Sequence, residues 1–362
     1  MTTRIEISVD QLSRPQPGGI ATYVRGLLAG LREVADDRDL VVTALAPRGG
    51  RRALDESDYV VRESRLSHAT LTRAWRHVPL TVSRDADVVH ATSLAGPFGG
   101  GLSGTRHSVA VHDLLWRDYP ELSSPRGVSF HERRLQYVLS RDEIRLLTIS
   151  PAVAERLVRE GLPATRVATV RLGVAPAPAT TLRLEELAQR VGVPVDDLRH
   201  GFTLCVGTLE PRKNLEHLAA AHARAREVEP ALGPLVLAGP RGWGDVNTGA
   251  AITVGSVTTE VLAALRAHCR IGAFVPVDEG WGLPAVEFLA AGRPVVVTPR
   301  VPSVANNAAA CHVAGTDVDS IAVGLQHAVA ESDDDDARRA RVLSVSHLTW
   351  RQCALDHLEA WR

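Results

Sequence analysis

Glu279-Gly-Trp-Gly-Leu-Pro-Ala-Val-Glu-Phe-Leu-Ala-Ala-Gly-Arg-Pro294 is the most informative segment of this 362-residue chain. Pro284 favours the first turn of a helix, and the apolar run at 285–291 continues it. Gly292 suits the position just after a helix, and the proline two residues further on prevents the helix from continuing. Residues 295–297 are three valines, which is typical of a buried strand. The stretch therefore predicts a loop, a helix and a strand of an α/β sheet.

Two carboxylates flank the start of this helix: Glu279 in the loop, and Glu287, expected in the first turn. Acidic side chains at that end are stabilised by the helix dipole, so a well-capped helix is one interpretation. Four backbone N–H groups are also expected to be unprotected and to converge there, those of Gly280, Trp281, Gly282 and Leu283. Such a corner can hold an anion on its N–H groups and polyols on its carboxylates, as a nucleotide-sugar site requires.

The segment closely resembles the donor-site signature of the retaining glycosyltransferases of family 4, in which two glutamates flank a Gly-aromatic-Gly-Leu-Pro turn. The resemblance implies that Glu279 holds hydroxyls of the transferred sugar and that Glu287 holds the ribose of the nucleotide. It also implies that the four amides face the sugar and the phosphates. The family usually has Pro-Ser shortly before the first glutamate, where this chain has Pro276-Val-Asp278.

The composition is that of an ordinary globular protein long enough for two domains. A hydrophobic content of 45% and a net charge of −1 give no reason to expect nucleic acid as a partner. The first residues alternate like a strand, without the apolar core of a signal peptide, and no apolar run is long enough to span a membrane. The 4 cysteines lie far apart, which favours a reducing cytoplasm and argues against structural zinc.

Strands and helices alternate along both halves of the chain, a pattern typical of doubly wound α/β domains. In the first half, strands are predicted at 5–9, 40–45, 87–90, 108–111, 146–149 and 167–171. After an Ala/Pro-rich linker at 175–179, strands are predicted at 202–206, 234–237, 251–254, 271–275 and 294–297. The tail at 348–361 predicts an amphipathic helix.

Two features of the first half are candidates for ligand contact. Gly18 and Gly19 precede the first helix, where glycine lets the backbone approach a phosphate, although glycines also make ordinary turns. His112 follows a predicted strand, at the edge where open α/β sheets bind ligands, although most histidines are structural or solvated. The family resemblance implies that the glycine pair contacts the donor diphosphate or the acceptor. It implies that His112 touches the transferred sugar or its acceptor.

The second half carries a basic motif, Glu210-Pro-Arg-Lys-Asn214, just before a helix predicted from about residue 215. Lys213 is the only lysine among 41 basic residues. Two cations at a helix start can neutralise a leaving diphosphate, or they form a solvent-facing turn. The resemblance to the family's Glu-Pro-Arg-Lys-Asn motif implies the first role for Arg212 and Lys213. Other branches have an arginine where this chain has Thr208, so charge stabilisation would rest on these two cations.

Ser256 follows another predicted strand of the second half. The resemblance implies that it lies near the nucleotide base, and turn chemistry at the end of a strand explains it equally well.

The resemblance covers nearly the whole chain and implies the GT-B architecture, with two Rossmann-like doubly wound α/β domains facing an interdomain cleft. Residues 1–176 would bind the acceptor, residues 177–345 the nucleotide sugar, and residues 346–362 would form a helix that packs back on the first domain. The implied enzyme is a retaining, metal-independent, cytoplasmic hexosyltransferase of glycan, glycolipid or glycoside biosynthesis, polysaccharide biosynthesis among them. It needs no cofactor, because the nucleotide sugar is a co-substrate.

Relatives with the Glu-Pro-Arg-Lys-Asn motif look like mannosyltransferases, so GDP-mannose is the expected donor. The acceptor stays open among glycans, lipid-linked acceptors and small molecules. A helix within 126–145 is predicted to carry Arg133, Arg134, Arg141 and Arg145. This basic surface would suit a weak peripheral contact with the inner membrane face, or it is an ordinary solvated surface.

Two other functions fit the same architecture. A GT-B nucleotide-sugar epimerase would interconvert a UDP-sugar without any acceptor. A catalytically silent GT-B partner subunit would keep the fold and lose the site, which the joint presence of Glu279, Glu287, Arg212, Lys213 and His112 argues against.

Overall fold

The computed structural model describes residues 2–14, 18–54, 59–75, 82–98, 104–178 and 180–362. The chain divides into two compact units. The first consists of Met1–Gly173 together with Leu348–Arg362, and the second is Val174–His347. The sequence prediction placed the corresponding boundaries at residues 176 and 345.

Both units alternate strands with helices. The strands are β1 (Thr3–Ser8), β2 (Leu40–Ala46), β3 (Val60–Glu63), β4 (Val88–Ala91), β5 (Arg106–Val111), β6 (Ile144–Thr148), β7 (Val167–Thr169), β8 (Thr203–Val206), β9 (Leu235–Ala238), β10 (Ile252–Gly255), β11 (Ile271–Phe274), β12 (Val295–Val297) and β13 (Cys311–His312). The helices are α1 (Gly19–Arg38), α2 (His68–Ala74), α3 (Leu115–Asp118), α4 (Pro125–Leu139), α5 (Pro151–Arg159), α6 (Leu184–Val191), α7 (Val195–Arg199), α8 (Leu215–Val228), α9 (Thr259–His268), α10 (Leu283–Ala290), α11 (Val318–Ala330), α12 (Asp335–Val345) and α13 (Trp350–Ala360).

Each unit is built on one parallel sheet. The strand order is β3-β2-β1-β4-β5-β6-β7 in the first unit and β10-β9-β8-β11-β12-β13 in the second. All paired strands run parallel. The order reverses direction between β1 and β4, and again between β8 and β11. Two doubly wound Rossmann-like sheets therefore confirm the predicted fold class, and ligands of such sheets bind where the order reverses.

The strands predicted from the sequence correspond to β1, β2 and β4–β12, and only the short edge strands β3 and β13 were missed. The three valines of β12 are all buried, as expected of an interior strand of a parallel sheet. In the parts of the chain that the structure describes, no helix combines the length and the apolar character needed to cross a membrane.

The C-terminal helix α13 packs against α1 within the first unit through glycines. A Cβ atom on Gly26 would lie 2.2 Å from the indole of Trp350, and one on Gly30 would lie 2.0 Å from the Trp350 carbonyl oxygen. Gly173 approaches the same residue, because its Cβ would lie 2.4 Å from the Trp350 backbone nitrogen. The side chain and backbone of Trp350 thus occupy a space that only glycines leave open.

Candidate functional site

The loop before α10 takes its shape from glycine. Gly282 precedes the helix with φ 99°, a left-handed conformation that disfavours other residues. A Cβ there would also lie 2.5 Å from Val301. At the other end Gly292 has φ 71°, and the N–H of Arg293 donates to the Phe288 carbonyl at 2.9 Å in a Schellman-type ending. The predicted loop, helix and strand are confirmed.

Two details of that prediction are wrong. Because Gly282 takes the left-handed conformation, the helix begins only at Leu283, and Glu287 lies in the second turn; the first turn holds no acidic residue. The carboxylate of Glu287 instead pairs with the guanidinium of Arg266 from α9. The Gly280 N–H is not unprotected, since Oε1 of Glu279 accepts its hydrogen bond at 3.3 Å.

The rest of the turn is held by Ser303. Its backbone N–H donates to the Trp281 carbonyl at 2.9 Å, and its hydroxyl donates to the Gly282 carbonyl at 3.0 Å. Trp281 is only 5% exposed. Contacts with Ser303 and burial of the indole thus support the shape of the turn.

The basic motif lies at the end of the neighbouring strand. β8 and β11 pair directly, with Thr203 opposite Ile271, so the segments that follow them leave the sheet at the same edge. A short 3₁₀ turn, Pro211–Lys213, carries the two cations. Asn214 then takes φ 57°, and α8 begins at Leu215 as predicted. The side chain of Asn214 donates to the Thr316 carbonyl at 2.8 Å, which fixes the turn.

Glu279 lies at the centre of a charge cluster built from both segments. Lys213 Nζ is 2.5 Å from Glu279 Oε2, and Arg212 Nη1 is 3.8 Å from the same oxygen. Arg212 also pairs with Glu210 through its Nε. The ammonium of Lys213 lies 5.0 Å from the centre of the Phe274 ring, a distance that suits a cation–π contact.

The cluster sets the protonation state of Glu279. Burial raises the pKa of this carboxyl. Attraction by Lys213 and Arg212, together with hydrogen bonds from Lys213 and the Gly280 N–H, lowers the pKa by a larger amount. The net pKa lies below the ordinary value. Glu279 is therefore ionised at neutral pH, and the site presents mutually compensated charges at the switch point of the second sheet.

Asp278 and Asn214 are two supporting residues that the sequence analysis did not select. Asp278 is 6% exposed, and its Oδ1 accepts the N–H of Glu279 at 2.8 Å. Arg300 Nη1 lies 3.6 Å from the other Asp278 oxygen. A carboxylate thus fixes the loop directly before Glu279, in the segment where the family's Pro-Ser pattern is replaced by Pro276-Val-Asp278. The departure from the Pro-Ser pattern was the signal that could have pointed to it.

Ser256 lies apart from this cluster. It is exposed and follows β10, the edge strand, which is separated from β11 by β9 and β8. The structure therefore brings together Arg212, Lys213 and Glu279, and it does not bring Ser256 to them.

In the first unit, His112 reaches the switch point between β1 and β4. Its Nε2 lies 2.8 Å from the carbonyl oxygen of Thr92, which follows β4. Because a carbonyl only accepts hydrogen bonds, Nε2 carries the hydrogen, and Nδ1 is the acceptor of the neutral ring. The ring also makes an edge-on contact with Tyr23, with ring centres 5.1 Å apart.

The glycine pair lies at the same switch point. Gly18 precedes α1 in an extended conformation with φ −107°, and Gly19 is the first helical residue. No described atom lies within 4 Å of the position that a Cβ on Gly18 would take. Packing within the described residues therefore does not require glycine there.

The basic surface predicted within 126–145 is partly interior. Arg134 is 2% exposed, and its guanidinium lies 5.1 Å and 5.3 Å from the ring centres of Phe98 and Phe130. Arg145 belongs to β6 rather than to the helix, and it donates to the carbonyl of Ala360 at 2.7 Å. Among the described residues, no group of three or more His, Cys, Asp or Glu side chains is placed to hold a metal ion.

Comparisons with known proteins bear on both units. Residues 18–173 match the family model of the glycosyl transferase 4-like domain, and residues 202–331 match that of the glycosyl transferases group 1. Over 276 residues the chain is 26% identical to the O-antigen chain mannosyltransferase B of Escherichia coli, covering 71% of this chain and 70% of that protein.

Solved structures show the same fold. Sucrose-phosphate synthase from Thermosynechococcus elongatus has a TM-score of 0.74 at 18% identity, covering 99% of this chain and 98% of that one. HepE of Anabaena in complex with UDP and glucose has a TM-score of 0.71 at 15% identity, again covering 99% and 98%. With two doubly wound parallel sheets and a family match on each, the chain belongs to the glycosyltransferases of family 4 and has the GT-B fold.

Proposed function

We propose that this glycosyltransferase moves mannose from GDP-mannose to a hydroxyl acceptor, with retention of configuration and without a metal ion, in the biosynthesis of a polysaccharide or related glycan. The single observation that carries the donor site is the cluster of Lys213, Arg212 and Glu279 at the switch point of the second sheet. The likeness to a mannosyltransferase of O-antigen chains supports the sugar and the class of product.

Lys213 and Arg212 stabilise the leaving diphosphate in this proposal. Both lie immediately before α8, whose N-terminal N–H groups also favour an anion. The cations already face a carboxylate, so the local field is set before the donor binds and little reorganisation is needed at the reaction. Because they supply this charge, the reaction needs no divalent cation.

The remaining residues hold the rest of the donor. Glu279 accepts hydrogen bonds from hydroxyls of the transferred sugar, and Glu287 accepts them from the ribose. The amides of Trp281, Gly282 and Leu283 face the sugar and the phosphates. Gly18 and Gly19 approach the diphosphate or the acceptor, and Ser256 is the candidate contact for the base.

His112 assists on the acceptor side. Its ring, whose Nε2 donates to the Thr92 carbonyl, contacts a hydroxyl of the sugar or the acceptor. The acceptor hydroxyl attacks the anomeric carbon from the face that the diphosphate leaves. The bond from that carbon to the phosphate oxygen breaks, the new glycosidic bond forms, and the leaving phosphate oxygen takes the proton of the hydroxyl.

The test is a screen of nucleotide sugars with saccharide, lipid-linked and small-molecule acceptors, followed by NMR of the product. We expect GDP-mannose to be consumed only with an acceptor, and the one-bond carbon–proton coupling at the anomeric centre to show an α-linked mannoside. An inverted centre would contradict the retaining mechanism. Conversion of one nucleotide sugar into another without any acceptor would instead identify an epimerase. Transfer from UDP-sugars but not from GDP-mannose would contradict the proposed donor.

A further inference from the structure

Tyr23 in α1 occupies the centre of a buried group of polar side chains in the first unit. Its hydroxyl lies 2.7 Å from Nε2 of His90 in β4 and 2.8 Å from Nε2 of His357 in α13. All three residues are completely buried. Because a hydroxyl has one hydrogen, Tyr23 donates to one histidine and accepts from the other.

The Cys353 carbonyl at one end of the group determines which atom donates in each hydrogen bond. Nδ1 of His357 lies 2.7 Å from the carbonyl oxygen of Cys353, which only accepts, so Nδ1 carries the hydrogen. Nε2 of His357 is then an acceptor, and the Tyr23 hydroxyl must donate to it. His90 Nε2 consequently donates to Tyr23.

The other end agrees with this assignment. His90 Nδ1 must accept, and the Ser108 hydroxyl lies 2.9 Å away and can donate to it. The indole N–H of Trp361, next to α13, donates to the same Ser108 oxygen at 2.8 Å. Each hydrogen bond thus has one donor and one acceptor with every ring neutral, and the chain begins and ends on the C-terminal segment.

The ring held by this chain is the one that contacts His112. The Tyr23 and His112 rings meet at 72° with their centres 5.1 Å apart, and Nε2 of the same imidazole is hydrogen-bonded to the Thr92 carbonyl. A tyrosine ring whose hydroxyl is fixed from two sides cannot tilt or slide without breaking a buried hydrogen bond, which is costly. The imidazole orientation is therefore coupled to α13.

We propose that Tyr23 is a positioning residue for the transfer reaction, held by His90 and His357 so that its ring fixes the orientation of His112. The C-terminal helix then contributes to turnover through His357, although none of its residues belongs to the site described above. This inference rests on the role of His112 in the proposed function.

A double-mutant cycle of Tyr23→Phe and His112→Ala tests the coupling. Tyr23→Phe keeps the ring and removes the hydroxyl, so we expect kcat to fall by roughly 10- to 100-fold through misorientation of His112. KM for the donor should change less than kcat, because Glu279 and Glu287, the carboxylates proposed to hold the sugar and the ribose, lie in the other unit. In the His112→Ala background the same substitution should have no further effect on kcat.

NMR of the histidine side chains supplies a readout other than activity. In the wild type we expect His112 to be protonated on Nε2, and in Tyr23→Phe a mixture of tautomers or a displaced resonance. His357→Gln, whose amide oxygen can accept from Tyr23, should retain more activity than His357→Leu. Gln352→Ala is the matched control, because Gln352 is exposed on the same helix and should leave kcat unchanged.

The outcomes distinguish the positioning role of Tyr23 from the proposed function of the enzyme. Wild-type kcat in Tyr23→Phe, with His112→Ala impaired, would overturn the positioning role and leave the proposed function intact. Equal losses from Tyr23→Phe in both backgrounds would also overturn it, since Tyr23 would then act independently of His112. Full activity of His112→Ala would remove both the positioning role and the proposed part of His112 in transfer.

Discussion

At the scale of single residues, the proposed donor site contains an ion pair, Lys213 with Glu279, whose direct contact the sequence did not indicate. Lys213 and Glu279 were each predicted as site residues, from a lone lysine and from a glycine-rich turn. Their direct contact at 2.5 Å was not predicted, because it depends on β8 and β11 being neighbours. Local sequence patterns do not determine the order of strands in a parallel sheet. The two residues could therefore be predicted from the sequence, but their contact could not.

Replacing Lys213 tests the pair. Lys213→Ala should lower kcat by roughly 10²-fold or more, because a charge that stabilises the leaving group is removed. Lys213→Arg should also be impaired, since a planar guanidinium does not fit where a compact ammonium lies between Glu279 and the Phe274 ring. Turnover measurements with circular dichroism would check this.

The matched control for Lys213 is Arg224→Ala. Arg224 is an exposed cation of α8 that pairs with the exposed Asp319, so we expect wild-type turnover. Wild-type turnover in Lys213→Ala would exclude the lysine from the mechanism.

At the scale of elements, the sequence predicted strands and helices well where apolar periodicity is strong. It missed the edge strands β3 and β13 because neither presents an apolar run: β3 reads Val-Val-Arg-Glu with one buried residue, and β13 reads Cys-His with none. It placed Glu287 one turn too early because a glycine-rich loop does not mark the first helical residue; with the helix beginning at Leu283, Glu287 falls in the second turn. It did not predict the glycine-lined face of α1, because glycine in the interior of a helix lowers helix propensity and does not by itself indicate a packing surface.

The glycine-lined face predicts a large effect from a small change. Gly30→Ala should lower the free energy of unfolding by about 1–3 kcal/mol, because the added methyl group overlaps the Trp350 carbonyl oxygen, a backbone atom. Thr22→Ala, at an exposed position of the same helix, should change it by less than about 0.5 kcal/mol. Urea denaturation measures both. A Gly30→Ala protein as stable as the control would show that α13 does not pack closely on α1.

At the scale of the whole molecule, buried histidines connect stability to pH. The pKa of His90, His107, His131, His222 and His357 is lowered, in each case chiefly because burial disfavours the charged ring. For His357 burial lowers the pKa to about 4, against smaller opposite effects of the Cys353 carbonyl and Asp356. The groups facing it from other elements are Tyr23, His90 and His112, and none of them offers a negative charge that would favour an added proton at neutral pH.

The sign of the effect follows from these shifts. A histidine whose pKa is lower in the folded than in the unfolded state contributes its full stability above about pH 6.5, the unfolded value. That stability is lost as the pH falls from about 6.5 towards the folded value, by at most about 1.4 kcal/mol per pH unit for each histidine. The carboxyls with lowered pKa, such as Glu279, lose their contribution at lower pH. The interval from pH 7.5 to about pH 5 therefore isolates the histidines.

Over that interval we expect the free energy of unfolding of the wild type to change little down to about pH 6.5 and to fall increasingly below it. The free energy of unfolding of His357→Gln starts lower but should fall less steeply with decreasing pH, by up to about 1.4 kcal/mol per pH unit. The reason is that one group that resists protonation in the folded state is gone. His347→Gln, which replaces an exposed histidine just before the C-terminal segment, should keep the wild-type slope. Urea denaturation at several pH values gives the three slopes. Equal slopes for the wild type and His357→Gln would mean that His357 takes up protons while folded, and the neutral hydrogen-bond chain through Tyr23 would then be wrongly assigned.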